Sequence, residues 1–295
     1  MKYKNIMSLI ISGIMIFSLV SCGKKENSNV LLESNGEEVV VATSVAVTEI
    51  LDALGVKVSG VPKTSYELPE STEGATEVGA PMNPDLEIIK SLNPTVVVSV
   101  DTLGVDYIEL FTQNNIPSEF VSLESLEGLK EAVTTLGERF NKTEEATSLL
   151  SEIENKEKEV SDKAKGLEGK EILILFAAPG STMIATSKSY IGNLLELVGG
   201  KNIIEDDSTS FVTYNKEDLA MLNPDKILVM VHALPDETKA ALEKEMATDS
   251  AWQRINAVKE GKVVYLDNTY FGMSANLKVI EGLDMLSDIV HNYGE

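Results

Sequence analysis

The 295-residue chain is poor in the residues that most often build enclosed chemistry: one cysteine, two histidines, two arginines and one tryptophan. Each scarcity excludes something. With Cys22 as the only thiol, no intramolecular disulfide can form, and packing alone must hold the fold. His232 and His291 are too few for a zinc site of the multi-histidine kind. Arg139 and Arg254 cannot make an arginine cluster for phosphate or a highly anionic chelate. Acidic residues outnumber basic ones 47 to 25, a net charge of −22 that argues against nucleic acid and against lying on an anionic membrane surface. Signs of an enzyme are also missing. Pro179-Gly180-Ser181 lacks a Gly-x-Ser-x-Gly elbow, and no Ser–His–Asp or paired-carboxylate pattern stands out.

What the chain does have begins at its N-terminus. Lys2 and Lys4 precede an apolar stretch from Ile6 to Val20, shorter than the roughly 20 residues of a membrane helix but suited to a secretory signal. It runs into Leu19-Val20-Ser21-Cys22, which resembles the bacterial lipoprotein cleavage box. We therefore expect residues 1–21 to be a signal peptide and Cys22 to carry the acyl chains. Those chains would hold the protein on a lipid membrane, at the outer face of the cytoplasmic membrane. Residues 22–38 are polar and aperiodic, as a tether is.

A repeat organises the rest. Leu92-Asn93-Pro94 and Leu222-Asn223-Pro224 each lead from an apolar helix pattern into a β-branched run. Strand and helix patterns alternate in both halves, which predicts an α/β fold of two similar lobes with mainly parallel sheets. The expected lobes are residues 39–142 and 167–295. The pattern over 143–166, without Gly or Pro, predicts one long helix joining them. Helix starts are expected at Thr43 or Ser44, at Asn83-Pro84, and at Asn215. Met82 stands just ahead of the second of these, and His232 just after the strand pattern Ile227–Val231. Ligands in open α/β sheets bind beyond the carboxyl ends of strands, so a thioether and an imidazole from opposite halves are placed to meet across the cleft. Each residue alone is also consistent with ordinary packing or hydrogen bonding.

Several segments, taken together and in order, carry a family likeness. They are Pro62-Lys63-Thr64-Ser65-Tyr66, Val78–Pro84, Leu136–Asn141, Pro179-Gly180-Ser181, Ala185–Gly192, Val198–Asn202 and Phe271–Asn276. The chain resembles the substrate-binding lipoproteins of ABC importers whose lobes share a single joining helix. Within that group it is most similar to the haem-binding lipoproteins of Gram-positive iron-regulated surface systems. The resemblance implies haem b as the transported ligand, held by Met82 and His232 as axial ligands. An alternative on the same scaffold is a ferric siderophore or a corrinoid. The haem propionates would take donors from Thr43, Ser44 and Val45 at a helix start and from the loop Lys63, Thr64, Ser65 and Tyr66. Tyr214, before the second-half cap, and Phe271 would pack on the porphyrin or belong to the core. Implied partners are an ABC permease, docked through Glu87 and Glu196, and cell-surface haem donor proteins. One departure stands out: Ala233-Leu234-Pro235 follows His232 where the family pattern has Gly-Met-Pro.

Overall fold

The computed structural model describes residues 38–204 and 208–291, so the signal stretch, Cys22 and nearly all of the tether lie outside the described residues. Val40–Ala42 (β1) and Val96–Val100 (β6) are buried at every position. Unbroken apolar runs of this kind suit strands covered on both faces. β1 pairs in parallel with β6 and with Gly60–Val61 (β2). Thr76–Glu77 (β3) and Ser118–Val121 (β7) extend the sheet in parallel, giving the order β3-β2-β1-β6-β7. Helices Val45–Ala53 (α1), Leu86–Ser91 (α2) and Val105–Gln113 (α3) belong to this half. A separate hairpin pairs Gly79–Ala80 (β4) with Asn83–Pro84 (β5).

Two helices follow, Leu126–Arg139 (α4) and Thr143–Ala164 (α5). The second sheet then forms from Glu171–Ala178 (β8), Ser181–Ala185 (β9), Lys201–Asn202 (β10), Phe211–Val212 (β11), Lys226–Val231 (β12) and Val263–Tyr265 (β13). Its order is β11-β9-β8-β12-β13, with β10 also on β8. β8, β10, β12 and β13 are parallel, whereas β9 pairs antiparallel with both β8 and β11, so this sheet is mixed. Its helices are Tyr190–Leu197 (α6), Lys216–Leu222 (α7), Pro235–Thr248 (α8), Asn256–Lys259 (α9) and Val279–His291 (α10).

The repeat is a repeat of structure. At an offset of 130 positions Asp85 caps α2 and Asn215 caps α7, each accepting from the amide two residues on. Asn93 and Asn223 both end their helices with positive φ, 49° and 48°. The conformation suits asparagine, whose short polar side chain tolerates the left-handed region. The next strands are held alike: Thr95 and Val97 donate to Val39 and Pro117 oxygens, and Asp225 and Ile227 donate to Glu171 and Lys262 oxygens.

One helix start differs from the expectation. Asn83-Pro84 is strand β5, not an N-cap and first turn, and Asp85 caps α2 instead. The Asp85 carboxylate accepts from Glu87 and Ile88 amides, both at 3.1 Å, and brings negative charge to the helix's positive end. Asn83 offers only an amide oxygen there. Met82 thus sits at a hairpin turn.

The core does not divide at the joining helix. One apolar cluster runs from Val40, Ile50 and Leu136 through Ile153 to Leu194, Leu283 and Leu286. α5 contributes Ala146, Ile153 and Val160, buried at intervals of seven, the seam spacing of helices packed nearly side by side. Lys130 of α4 reaches Glu157 at 3.2 Å, and Lys156 reaches Asp284 of α10 at 2.7 Å. α5 is therefore clamped from both halves.

Candidate functional site

The first wall of the site is the start of α1. Ser44 caps the helix, accepting from the Val47 amide at 3.3 Å, and no acidic residue occupies its first turn. The amide-rich, partly positive end of α1 is thus left for an anion. Thr43, one residue earlier, is buried, and its hydroxyl donates to Ser99 Oγ at 2.6 Å. It is not placed to donate to a ligand. Ser99 in turn donates to the Tyr107 hydroxyl at 3.3 Å, and Tyr107 donates to the Pro81 carbonyl at 3.1 Å.

That chain of hydroxyls joins the start of α1 to the hairpin carrying Met82. Tyr107 is itself fixed by Phe111 and Phe120, at ring separations of 5.3 and 6.3 Å. At the base of the hairpin Gly79 adopts φ 92°, and a Cβ there would come within 2.6 Å of the Asp85 amide. Only glycine fits this bend. The Lys63 amide donates to the Gly79 carbonyl at 2.8 Å, tying the loop Lys63–Tyr66 to the same hairpin. Met82 presents its side chain to solvent, 72% exposed.

The opposite wall comes from the second half. His232 follows β12 at its carboxyl end, with its amide donating to Ala177 at 2.7 Å. The imidazole is exposed and lies over Phe176, with centroids 5.6 Å apart and planes 29° from parallel. Ala233 and Leu234 both take positive φ, 60° and 42°, before Pro235 starts α8. Two successive non-glycine residues in that region must be held there by their surroundings, and the Thr238 hydroxyl donates to the Ala233 carbonyl at 3.0 Å.

These walls enclose a pocket of about 230 Å³ lined by Ser44, Val45, Tyr66, Pro81 and His232, among others. Four of the expected residues, Ser44, Val45, Tyr66 and His232, thus meet in one place, whereas Met82 is not among the lining residues and only its neighbour Pro81 reaches the pocket. Lys63 and Ser65 are exposed on the adjoining loop, and Thr64 accepts from the Tyr66 amide at 3.1 Å. Sequence reasoning did not identify Glu49, Asn268, Met273 and Lys278, which also line it. Of these only Met273 lies in the segment Phe271–Asn276, which bore on family likeness but whose side chains were not assigned.

Other residues lie elsewhere. Phe271 is core, 1% exposed. Tyr214 packs edge-on to Trp252 at 6.1 Å and lines a separate cavity of about 660 Å³ walled wholly by the second half, beside Lys216 and Leu234. Burial, then Glu245, pushes its hydroxyl up to about 12. At the offset of 130 positions Tyr214 matches Pro84 rather than Met82. Glu87 is exposed in the first turn of α2, close to the hairpin. Glu196 is exposed too, but it lies in the last turn of α6, which leads into the first residues of parallel β10. β10 there pairs with the first residues of β8. The residue that matches Glu87 in the repeat is Glu217, also two positions after its cap, and it is paired with Arg254.

Residues 40–270 match the model of the periplasmic binding protein family. The chain belongs to this family. Within reach of the family, the high-affinity heme uptake system protein IsdE of Staphylococcus aureus strain Newman is 33% identical over 291 residues, 98% of this chain and 97% of that one. Among solved structures, an ABC transporter substrate-binding protein from Listeria monocytogenes EGD-e shares 34% identity at a TM-score of 0.83, covering 88% of this chain and 100% of its own. S. aureus IsdE complexed with heme shares 34% identity at the same TM-score, over 87% and 100%. Family membership and these relatives make the chain a substrate-binding protein of the ABC-importer kind, not an enzyme.

Proposed function

We propose that the ligand is haem, held in the pocket between the halves and handed to an ABC permease. The observation that carries this reading is the convergence of His232, the Met82 hairpin and the open end of α1 on one pocket. Imidazole and thioether are an axial pair for haem iron, and the sulfur ligand raises its reduction potential. The α1 amides suit the propionates. The enclosed volume, about 230 Å³, is below the roughly 300–1,000 Å³ of pockets that swallow a drug-sized ligand, so a bound porphyrin would keep an edge in water. Such an edge suits delivery to a permease. Exposed Glu87 and Glu196 are the acidic contacts we assign to the permease, with Glu217, the repeat equivalent of Glu87, as a further candidate. Haem would come from cell-surface donor proteins, with Cys22 holding the protein by its acyl chains outside the cytoplasmic membrane.

The test is a hemin titration of the full-length chain in detergent, followed by visible absorption. We expect one equivalent with a six-coordinate spectrum, and His232→Ala should lose that coordination and weaken binding at least tenfold. Uptake of a corrinoid or ferric siderophore without any hemin spectrum would refute the haem reading.

A further inference from the structure

One ion pair spans the pocket. Glu49 of α1 lies 3.4 Å from Lys278, the residue before α10, so the two partners come from different halves of the chain. The Glu49 side chain keeps 13% of its exposure and Lys278 keeps 40%. The carboxylate is therefore set into the wall while the ammonium reaches into the pocket beside Ser44, Val45 and His232. An ammonium has three donors, so the contact with Glu49 leaves two. The backbone that presents it is fixed on both sides. The Lys278 amide donates to Asn276 Oδ1 at 3.0 Å, and the Ala275 amide crosses to the Leu123 carbonyl at 2.8 Å. Burial holds the Glu49 carboxyl above its ordinary value, against the pull of Lys278. Lys278 is the only lysine or arginine among the described residues lining the pocket, in a chain of net charge −22.

We propose that Lys278 is the specificity-determining cation of this pocket, taking a ligand carboxylate jointly with the start of α1 while Glu49 positions it. The inference rests on the haem reading, whose two propionates supply the carboxylates. Its logic is one of charge. A carboxylate entering an acidic protein needs a cation that is already aimed and partly desolvated, and removing that cation leaves Glu49 facing the ligand with like charge.

The probes are hemin and its dimethyl ester, which keeps the iron and ring but lacks the propionate charges. Full-length protein in one detergent buffer is titrated with each. The wild type should favour hemin by about tenfold or more, as a charge-assisted hydrogen bond allows. Lys278→Met should collapse that preference toward parity while the axial-ligand bands persist, and Lys278→Arg should keep most of it. Should Lys278→Met fail to fold, Lys278→Gln carries the same comparison. A wild type without preference, or a Lys278→Met variant that keeps it or weakens both porphyrins equally, overturns the assignment. If neither porphyrin gives axial bands in the wild type, the haem reading falls first and takes this assignment with it. A lost preference with bands intact concerns Lys278 alone.

Discussion

Single side chains set the site through hydrogen bonds that lie mostly behind it. Thr43, Ser99 and Tyr107 pass a chain of hydroxyl contacts to the Pro81 carbonyl, next to Met82. Thr43 was legible in the sequence as a residue at the opening of a helix, but its burial was not. The partner that turns it inward, Ser99, sits 56 positions away inside an apolar strand. Sequence alone gave no reason to pair the two. Tyr107→Phe should remove the donor to Pro81 while leaving the aromatic packing in place. We expect a loss of about 1 kcal/mol in thermal stability and a several-fold weaker hemin affinity with unchanged axial bands. An affinity equal to the wild type would mean that the hairpin does not depend on this contact.

The strands and long helices were legible from pattern, because buried parallel strands and amphipathic helices write their periods into the chain. The joining helix, expected over 143–166, spans Thr143–Ala164. The second helix start was not legible, because Asn83-Pro84 and Asp85 offer two cap signals within three residues. The choice depends on hairpin pairing between Gly79–Ala80 and Asn83–Pro84, which only the folded chain reveals. The consequence reaches the site: it puts Met82 on the turn of a hairpin. Asp85→Ala should cost about 1 kcal/mol in chemical denaturation, and Asn83→Ala only a few tenths. The reverse order would restore Asn83 as the cap.

At the scale of the molecule, the two sheets share one continuous core through α4, α5, α6 and α10. α5 is held by ion pairs to both neighbours. Opening the halves widely would break a packed apolar seam, so the resting and loaded shapes should differ little. Small-angle scattering with and without hemin should give nearly superimposable curves, and a large contraction on loading would contradict the shared core. The site itself was only half legible. Sequence supplied His232, Ser44, Val45 and Tyr66, yet the joining of Glu49 to Lys278 is a contact across 229 positions. No local pattern carries such a contact.

The central claim is that sulfur and nitrogen from the two halves grip one iron. Its most direct test is the near-infrared absorption of the ferric hemin complex, where a sulfur-to-iron charge-transfer band reports thioether ligation. We expect the band in the full-length protein and its disappearance in Met82→Ala, with His232→Ala losing six-coordination altogether. A band that survives Met82→Ala, or a wild type that binds hemin without it, would contradict the account.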